Sequence, residues 1–372
     1  MTPRWRARRH ERLRMFRAYE TPRDEAPVIR EGGVSKRKLP ANFRTEDAPL
    51  FESELERVIP PTRLVELSGV SATPEGLLFK GGRVLPESFS SPVILERFLR
   101  RRRSVLKFFA TNYLLRRRKK FARRCLWITD DWSHGYFHWL ADALPRLFAV
   151  RELARSLVLL LPHGYERLQF VRSSLELFRL GGVEYVGEDE VYVCERLLMP
   201  THTAPSGNYN EALLRELRAF LLDSSGARAE ACERVYLSRA RAPKRRVRNE
   251  EEILGVLGEF GFRVVHFEDY AFGQQVALAA GARHFVSNHG AGLTNTLFMR
   301  PGGSVLELRR RGERERNWFF NLANAVGLDY YYQTCQPATP GEDPHTADLL
   351  VDPHALRENL SLMLNEAKER QK

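Results

Sequence analysis

The chain has 372 residues, 43% of them apolar, and is long enough to form two domains, each with its own buried core. It contains no uninterrupted apolar run of about 18 residues, which excludes a membrane-spanning helix. The N-terminus lacks the apolar centre of a secretory signal, and the four cysteines are widely separated. These features predict a cytoplasmic protein with reduced thiols, and they argue against a thiolate zinc site.

The net charge of +12 is concentrated in residues 96–124, which contain 13 Lys or Arg against one Glu. Leucine and phenylalanine alternate with these cations, so the segment predicts a basic amphipathic helix. Three interpretations stay open: an anionic membrane surface as partner, a solvated basic face, and nucleic-acid binding. The aromatic residues do not recur at the spacing of a base-stacking platform, and we therefore expect no nucleic-acid partner. Membrane contact would place the protein at the inner face of the membrane.

The first half of the chain predicts a basic, poorly ordered tail over residues 1–45, followed by an α/β domain over 46–205. Short apolar runs separated by Gly and Pro over 50–95 are typical of strands and hairpins. After the basic segment, strands and helices alternate. The predicted elements are a strand at 125–132, a helix at 136–153, a strand at 156–162, a helix at 165–182 and a strand at 191–200.

A linker at 201–210 leads into a second predicted domain, residues 206–372. Here strands and helices alternate four times at short spacing, which predicts a doubly wound parallel sheet of Rossmann type. A closing amphipathic helix is expected at 355–370.

The segment HFVSNHGAGLTNTLFM, residues 284–299, predicts a strand, a glycine turn and a helix beginning near Leu293. Ligands bind outside the carboxyl ends of parallel strands, and the free N–H groups of a helix N-terminus attract anions. Gly290 and Gly292 have no Cβ and would let the backbone approach a phosphate, and His289 could donate to it. The alternative is a tight turn in which His289 is merely solvated. The segment is neither GxGxxG nor GxxxxGKT.

Arg239 follows the first strand of the second domain, at the same predicted sheet edge. Arginine forks match phosphate oxygens in pairs, so this loop and the glycine turn could together neutralise a diphosphate. A solvated basic loop is the alternative. The other cations of the loop are Arg241, Lys244, Arg245, Arg246 and Arg248.

His134, His138 and Asp142 are spaced by four residues and would share one face of a helix. Three interpretations stay open: a metal site, a polar pair with the carboxylate as general base, and a helix cap beside core aromatics. The metal interpretation is the weaker because His134 is expected in the turn before the helix. Glu307 ends a late strand, where an acid could accept ribose hydroxyls or form an ordinary ion pair.

Four motifs occur along the chain in the order YFHWLADALPR, YLSR with the following RRVRNE, HGAGLTN and VLE. Together they resemble glycosyltransferase family 61, whose bacterial members are often described as capsular polysaccharide biosynthesis proteins. The resemblance spans about residues 125–335 and leaves out the first 120.

The resemblance implies a GT-B fold, with two Rossmann-like domains facing across a cleft, and inverting, metal-independent transfer from a nucleotide sugar, usually a UDP-sugar. The nucleotide sugar would bind the C-terminal domain, and a glycan or lipid-linked glycan acceptor mainly the N-terminal one. No cofactor is implied beyond this co-substrate. Asp142 matches the general base and His138 its neighbour. The donor-site matches are Arg239, Arg245, His289, Gly290, Ala291, Gly292, Asn295 and Glu307.

This sequence departs from many relatives at Gly135, where they have Asn, which affects how the His138–Asp142 pair is supported. Other functions remain as alternatives: an NAD-type oxidoreductase, a metal hydrolase using His134, His138 and Asp142, and a non-catalytic basic protein that binds membranes or nucleic acid. No DxD cluster stands where a metal-dependent transferase would need one, because Asp130-Asp131 is a bare pair.

Overall fold

The computed structural model describes residues 18–111, 118–226, 228–313, 316–343 and 345–369. The chain divides into two compact units. Unit 1 contains the described residues up to Glu31 together with Pro60–Ser206, and unit 2 contains Gly32–Ile59 together with Gly207 onwards. The two units are described separately below.

Strands and helices alternate along most of the chain, as an α/β protein requires. The strands are β1 Val28–Arg30, β2 Gly33–Lys36, β3 Glu56–Ile59, β4 Thr62–Ala72, β5 Leu78–Lys80, β6 Arg83–Val84, β7 Arg118–Leu126, β8 Val158–Leu161, β9 Gly182–Tyr185, β10 Glu190–Pro200, β11 Arg234–Leu237, β12 Arg263–Val265, β13 His284–Asn288, β14 Ser304–Arg310, β15 Asp329–Pro337 and β16 Leu349–Leu350.

The α-helices are α1 Ala48–Phe51, α2 Pro92–Arg100, α3 Arg102–Phe109, α4 Tyr136–His138, α5 Leu144–Ala149, α6 Arg151–Ala154, α7 Gln169–Leu175, α8 Glu211–Ser225, α9 Glu250–Glu259, α10 Phe272–Gly281, α11 Trp318–Val326 and α12 Pro353–Glu369. A π-helical turn, Trp139–Ala143, joins α4 to α5, and a 3-10 helix, Ala291–Phe298, follows β13. Within the described residues, no helix combines the length and the apolar character needed to cross a bilayer.

Unit 1 is built on a mixed sheet of eight strands in the order β6-β5-β4-β10-β7-β8-β9, with β1 also paired to β4. Strands β10, β7, β8 and β9 run parallel, and the remaining pairs are antiparallel. The parallel half carries the α/β alternation that the sequence predicts. Trp127, which is fully buried, lies in the core of this unit with apolar side chains from β4 and β10.

Unit 2 is built on a six-stranded sheet in the order β12-β11-β13-β14-β15-β16. The first five strands are parallel, which confirms the predicted parallel α/β sheet, and β16 is antiparallel. Numbered along the chain, the parallel strands have the order 2-1-3-4-5, one of the two common doubly wound orders. Its switch point, where ligands bind in such sheets, lies between β11 and β13.

The predicted tail over 1–45 is wrong from residue 18 onwards, and residues 1–17 lie outside the described part of the chain. Strand β1 pairs with β4, and β2 pairs with β3. Arg37 is only 8% exposed and donates to the Asn208 Oδ1 atom at 2.7 Å. A segment with paired strands and buried polar contacts has enough interactions to be ordered.

The predicted first domain, 46–205, also begins in the wrong place, because residues 32–59 belong to unit 2. Phe51 is fully buried there, with its ring 5.0 Å from the rings of Phe320 and Tyr332. Asn317 in turn donates to the carbonyl of Leu50 at 2.7 Å. This aromatic cluster holds the N-terminal segment in unit 2, and sequence composition carries no sign of it.

The single helix predicted over the basic segment 96–124 is also wrong. Helix α2 begins at Pro92, where the Ser91 hydroxyl accepts from the amide of Ile94, and it ends at Arg100. A short helix α3 follows, and residues 118–124 belong to strand β7, which pairs with β10. Residues 112–117 lie outside the described part of the chain.

Candidate functional site

The helix predicted over 136–153 is interrupted by the π-helical turn, where the amide of Leu144 bonds the carbonyl of Trp139. Pro145 explains the interruption, because it has no N–H to give the carbonyl of Ala141 and its ring would crowd that carbonyl. Single π-turns inside helices occur often at functional sites. This one contains Asp142.

His138 and Asp142 lie together, as their spacing predicts, with the His138 Nδ1 atom 2.8 Å from the Asp142 Oδ2 atom. The hydroxyl of Ser206 donates to the same carboxylate oxygen at 2.8 Å. The carboxylate is 6% exposed and the imidazole 14% exposed. Ser206 was not predicted as a site residue, because it stands in the predicted linker and comes to the pair only through the fold of unit 1.

The rings of Trp132 and Phe137 flank His138, with centroids at 4.9 and 5.0 Å. Gly135, where the resemblance implies Asn in many relatives, brings no side chain to His138, and a Cβ there would lie 3.7 Å from the His138 ring. The observed side-chain support of the pair comes from Ser206, in a different segment.

His134 is exposed and lies in the turn before α4, apart from the His138–Asp142 pair. Across the described residues, no group of three or more His, Cys, Asp or Glu side chains is arranged to hold a metal. The geometry therefore gives the metal interpretation of this triplet no support.

A second histidine–carboxylate pair, absent from the sequence prediction, joins His202 to Asp130, with Nε2 and Oδ2 2.7 Å apart. Burial alone would raise the pKa of Asp130, but the hydrogen bond and charge of His202, followed by the charge of Arg146, lower it well below its usual range. Arg146 is fully buried and donates to the carbonyls of Ile128 and Pro200. Burial lowers the pKa of Arg146 to about 10.

A signal for this second pair was present in the sequence. Asp130 follows strand β7 and His202 follows β10, and these strands are parallel neighbours, so their carboxyl ends share one edge of the sheet. The pair was not predicted because the sequence does not show that β7 and β10 are neighbours in the sheet.

A pocket of about 650 Å³ in unit 1 is lined by His202, Trp132 and Ser206. His202 lines the pocket directly, whereas the His138–Asp142 pair lies behind the lining residues Ser206, which bonds Asp142, and Trp132, whose ring contacts the His138 ring. We call His138, Asp142, Ser206, His202 and Asp130 the histidine centre.

In unit 2, Arg239 and Gly290 are brought together at the switch point between β11 and β13. A Cβ on residue 290 would lie 2.5 Å from the Arg239 Nη1 atom, so the glycine leaves room for the guanidinium. A Cβ on residue 292 would lie 2.3 Å from a methyl carbon of Leu237. The glycines were expected because a ligand would approach the backbone closely. The structure adds a second reason, since both glycines also pack closely against residues of β11 and the loop that follows it.

Arg245 completes this cationic group. Its backbone is in the left-handed region, with φ of 57°, and its carbonyl accepts from the side chains of Arg239 and Asn288. The Nε atom of Arg245 is buried without a hydrogen-bond partner among the described residues. Burial, and then the like charges of Arg239 and Arg316, lower the pKa of Arg245 to about 10. An anion placed here would relieve both the missing hydrogen bond and the repulsion.

The other cations of the loop are mostly neutralised, contrary to the expectation that the whole loop would face a diphosphate. Arg246 and Arg248 both pair with Asp348, at 3.4 and 3.3 Å. Arg241 pairs with Asp269. Because these three arginines already have carboxylate partners, Arg239 and Arg245 are the arginines of the loop that are suited to bind an anionic ligand.

His289 is 5% exposed, and its Nδ1 atom bonds a carboxylate oxygen of Glu307. Tyr330 donates to the other oxygen at 2.6 Å. Burial alone would raise the pKa of Glu307, but the charge and hydrogen bond of His289, then the charge of Arg309, lower it. Glu307 is fully buried and both of its carboxylate oxygens accept hydrogen bonds, which favours the ion-pair interpretation over acceptance of ribose hydroxyls.

The helix predicted from Leu293 is a 3-10 helix that already begins at Ala291, directly after Gly290. Asn295 is fully buried, and its amide donates to the carbonyl of Gly292 at 3.1 Å. Its observed role is thus to hold the glycine turn. We call Arg239, Arg245, His289, Gly290 and Glu307 the arginine centre.

Comparison with known proteins gives the class of the chain. Residues 136–306 match the family model of glycosyltransferase 61, a range that includes Asp142, Arg239 and His289. They therefore form a glycosyltransferase domain. The particular family is glycosyltransferase 61, whose model this segment of the chain matches, and the match confirms the resemblance.

The similar curated proteins carry the name protein O-linked-mannose beta-1,4-N-acetylglucosaminyltransferase 2. The Bos taurus protein is 32% identical over 135 residues, which is 34% of this chain and 23% of the relative. The Pan troglodytes protein is 40% identical and the Homo sapiens protein 39% identical, each over 105 residues, 27% of this chain and 18% of the relative. The chain thus spans about a quarter or less of the length of these relatives.

Proposed function

We propose that the protein is an inverting, metal-independent glycosyltransferase that moves a sugar from a nucleotide sugar to a glycan hydroxyl. The observation that carries the proposal is the contact between Arg239 and Gly290 at the switch point of a doubly wound sheet, beside the unsatisfied Nε atom of Arg245. The GT-B arrangement goes with this proposal, and its support is the family resemblance together with an α/β sheet in each unit.

The arginine centre is the proposed donor site. Arg239 and Arg245 would bind the diphosphate of the leaving nucleotide, for which UDP is the expectation. Preorganised cations at a site with little water can stabilise a departing diphosphate without a metal, and removing one such group typically costs about 10²–10³ in rate. In its imidazolium form, with Nδ1–H held by Glu307, His289 would donate to the same phosphate through Nε2–H.

The histidine centre is the proposed site of proton removal, and its geometry suggests a reversal of the expected roles. Asp142 engages the Nδ1 atom of His138, so the lone pair of the neutral ring is on Nε2. A buried carboxylate that orients an imidazole in this way is the arrangement used where histidine is the base. We therefore assign proton abstraction to His138, with Asp142 and Ser206 holding the ring and stabilising the imidazolium.

The acceptor would occupy the pocket beside the histidine centre, where Trp132 offers a face for a sugar ring. The names of the relatives suggest an N-acetylglucosamine donor and a mannose-bearing acceptor. A lipid-linked glycan and a role in capsule or exopolysaccharide synthesis follow from the bacterial resemblance, as does a cytoplasmic location. An anionic membrane surface also remains a proposed partner, because strand β7 carries exposed basic residues.

Calorimetric titration of UDP, GDP and NAD in excess EDTA tests the proposal. We expect UDP or GDP to bind despite the chelator, and Arg239→Ala to weaken that binding about 30-fold, because a charge-assisted pair is lost. Preference for NAD would indicate an oxidoreductase instead. Binding that EDTA abolishes would refute metal independence, and failure of all three nucleotides to bind would refute the donor site.

A further inference from the structure

The first seven residues of strand β7, Arg118–Arg124, carry five cations and no acid. On one edge the strand pairs with β10 along this stretch. On the other edge, β8 pairs only with Cys125 and Leu126. Within the described residues, this basic stretch therefore presents an unpaired strand edge.

The two faces of the strand differ, because successive side chains point to opposite sides. One face is largely neutralised within unit 1. Arg118 lies 3.7 Å from Asp189, and Lys120 lies 3.1 Å from Glu190. The Lys120 Nζ atom also lies 5.4 Å from the centroid of the Tyr192 ring.

The other face consists of Lys119, Phe121 and Arg123, and we call it the Phe121 face. Neither cation has an ion-pair partner among the described residues, although Glu195 of the neighbouring strand β10 is also exposed. Phe121 is 77% exposed, the only aromatic ring among the large exposed apolar side chains that the structure describes.

Helices α2 and α3 border the same face. Val191, the register partner of Lys119, packs in a cluster with Phe98 of α2 and Phe108 of α3. These helices add exposed cations, including Lys107, and exposed apolar side chains, among them Leu106. The Phe121 face is thus part of a wider surface that combines positive charge with exposed apolar groups.

Protection of a strand edge explains only part of this pattern. Lysine and arginine on an exposed edge prevent pairing with other chains. An exposed phenylalanine at the middle of that edge has the opposite effect, since it makes unwanted association more favourable. Positive charge and an exposed aromatic ring on one face are, however, what contact with an anionic lipid surface requires.

We propose that the Phe121 face docks unit 1 on an anionic membrane surface. Lys119 and Arg123 pair with lipid headgroups, and the Phe121 ring enters the headgroup region. The membrane-binding element is then a strand and its flanking short helices, in place of the long amphipathic helix that the sequence indicates. This surface serves to bring the protein to a membrane and takes no part in sugar transfer.

Co-sedimentation with phosphatidylcholine vesicles, with and without phosphatidylserine, tests the proposal with the full chain. We expect pelleting at low salt only when phosphatidylserine is present. Lys119→Gln combined with Arg123→Gln should lower the partition coefficient about 30-fold, since each cation near the surface contributes about 5-fold. Phe121→Ser should lower it about 10-fold with the charge unchanged.

The matched control is Arg118→Gln combined with Lys120→Gln, which removes the same charge from the same strand but from the two side chains that pair with Asp189 and Glu190. A loss of less than about 5-fold is expected for it. Far-ultraviolet circular dichroism and the thermal midpoint of each variant establish that it is folded. Equal losses for the two pairs would refute a specific face, and no pelleting of the unmodified protein would refute membrane docking. Retention of duplex DNA without vesicle binding would also refute it, in favour of nucleic acid.

Discussion

The histidine centre of unit 1 and the arginine centre of unit 2 handle charge in opposite ways. In the histidine centre each carboxylate has a histidine partner at hydrogen-bond distance. In the arginine centre, Arg239 and Arg245 repel each other, and the buried Nε atom of Arg245 has no acceptor among the described residues. Paired histidines and carboxylates suit proton transfer, whereas neighbouring cations with an unused hydrogen-bond donor suit the binding of an anion.

The largest expected effect concerns the histidine centre. Both His138→Gln and Asp142→Asn should lower the turnover number for sugar transfer by about 10³–10⁴, because the base or its orienting partner is lost. UDP affinity, measured by calorimetry, should stay unchanged in both variants. Ser206→Ala is the milder control, with an expected loss of about 10-fold.

The same pair of variants separates the two assignments of the base. If Asp142 alone removes the proton, His138→Gln should retain turnover within about 10-fold of the unmodified protein, because only an orienting contact is lost. That result would contradict the proposed role of His138. Near-normal turnover of Asp142→Asn would exclude Asp142 from both roles.

Glu307→Gln tests whether the arginine centre depends on a buried charge. The charge of Glu307 balances that of the buried Arg309. Removing one member of a buried pair of opposite charges typically costs about 3 kcal/mol in the free energy of unfolding, and we expect a loss of this size by denaturant titration. UDP affinity should fall as well, because His289 loses the group that holds it. The matched control is Glu250→Gln, whose carboxylate accepts from two neutral groups in the described part of the chain, the hydroxyls of Tyr236 and Ser238, at 2.7 and 2.8 Å. A loss as large in the control would contradict the argument from charge.

Acid should destabilise unit 2 before unit 1. Burial, then the charges of Arg234 and Arg283, lower the pKa of His284 from 6.5 to about 4. The unfolded chain therefore takes up a proton that the folded protein resists, and stability falls as the pH drops from about 6.5 to 4. After allowance for solvent screening, the expected loss is about 2 kcal/mol.

Asp130 in unit 1 acts in the same direction as His284 but at lower pH. Its pKa is lowered, so its contribution to stability is present above the ordinary value of 3.8 and is lost only on further acidification. Hydrogen exchange as a function of pH should therefore show unit 2 opening first. His284→Gln should flatten the pH dependence of unit 2, and an unchanged slope in that variant would contradict this explanation.

The smallest expected effect is that of Gly290→Ala. The added methyl group would displace the Arg239 guanidinium, and we expect UDP affinity to fall about 10-fold without unfolding. Gly273→Ala is the control, since a Cβ at that exposed helix position meets nothing within 4 Å. Normal UDP affinity in Gly290→Ala would show that Arg239 can bind phosphate from another position.

Local spacing in the sequence was enough to predict much of the arrangement. The four-residue spacing of His138 and Asp142 brings them together on a helical turn, and Arg239 and Gly290 both follow strands of one parallel sheet. These inferences succeed because a helix repeat and a strand end are local properties of the chain.

What the sequence did not reveal depends on contacts between distant segments. The pairing of β7 with β10 brings His202 to Asp130, and the fold of unit 1 brings Ser206 to Asp142. The role of Glu307 on β14 depends on Tyr330, on the neighbouring strand β15, and on His289, which directly follows the other neighbour, β13. None of these partners can be identified from hydrophobic periodicity, because periodicity specifies the face of an element and not its neighbours.

Unit 2 is discontinuous in sequence, and this affects the order in which the protein can form during synthesis. Residues 32–59 are synthesised before Pro60–Ser206, but their partners in unit 2 follow only after Ser206. Phe51 must therefore remain without its aromatic cluster while the whole of Pro60–Ser206 is made. Unit 1 can complete its sheet in that interval. The nascent chain thus exposes Phe51 until Phe320 and Tyr332 have been synthesised, a period in which binding by a chaperone would protect it.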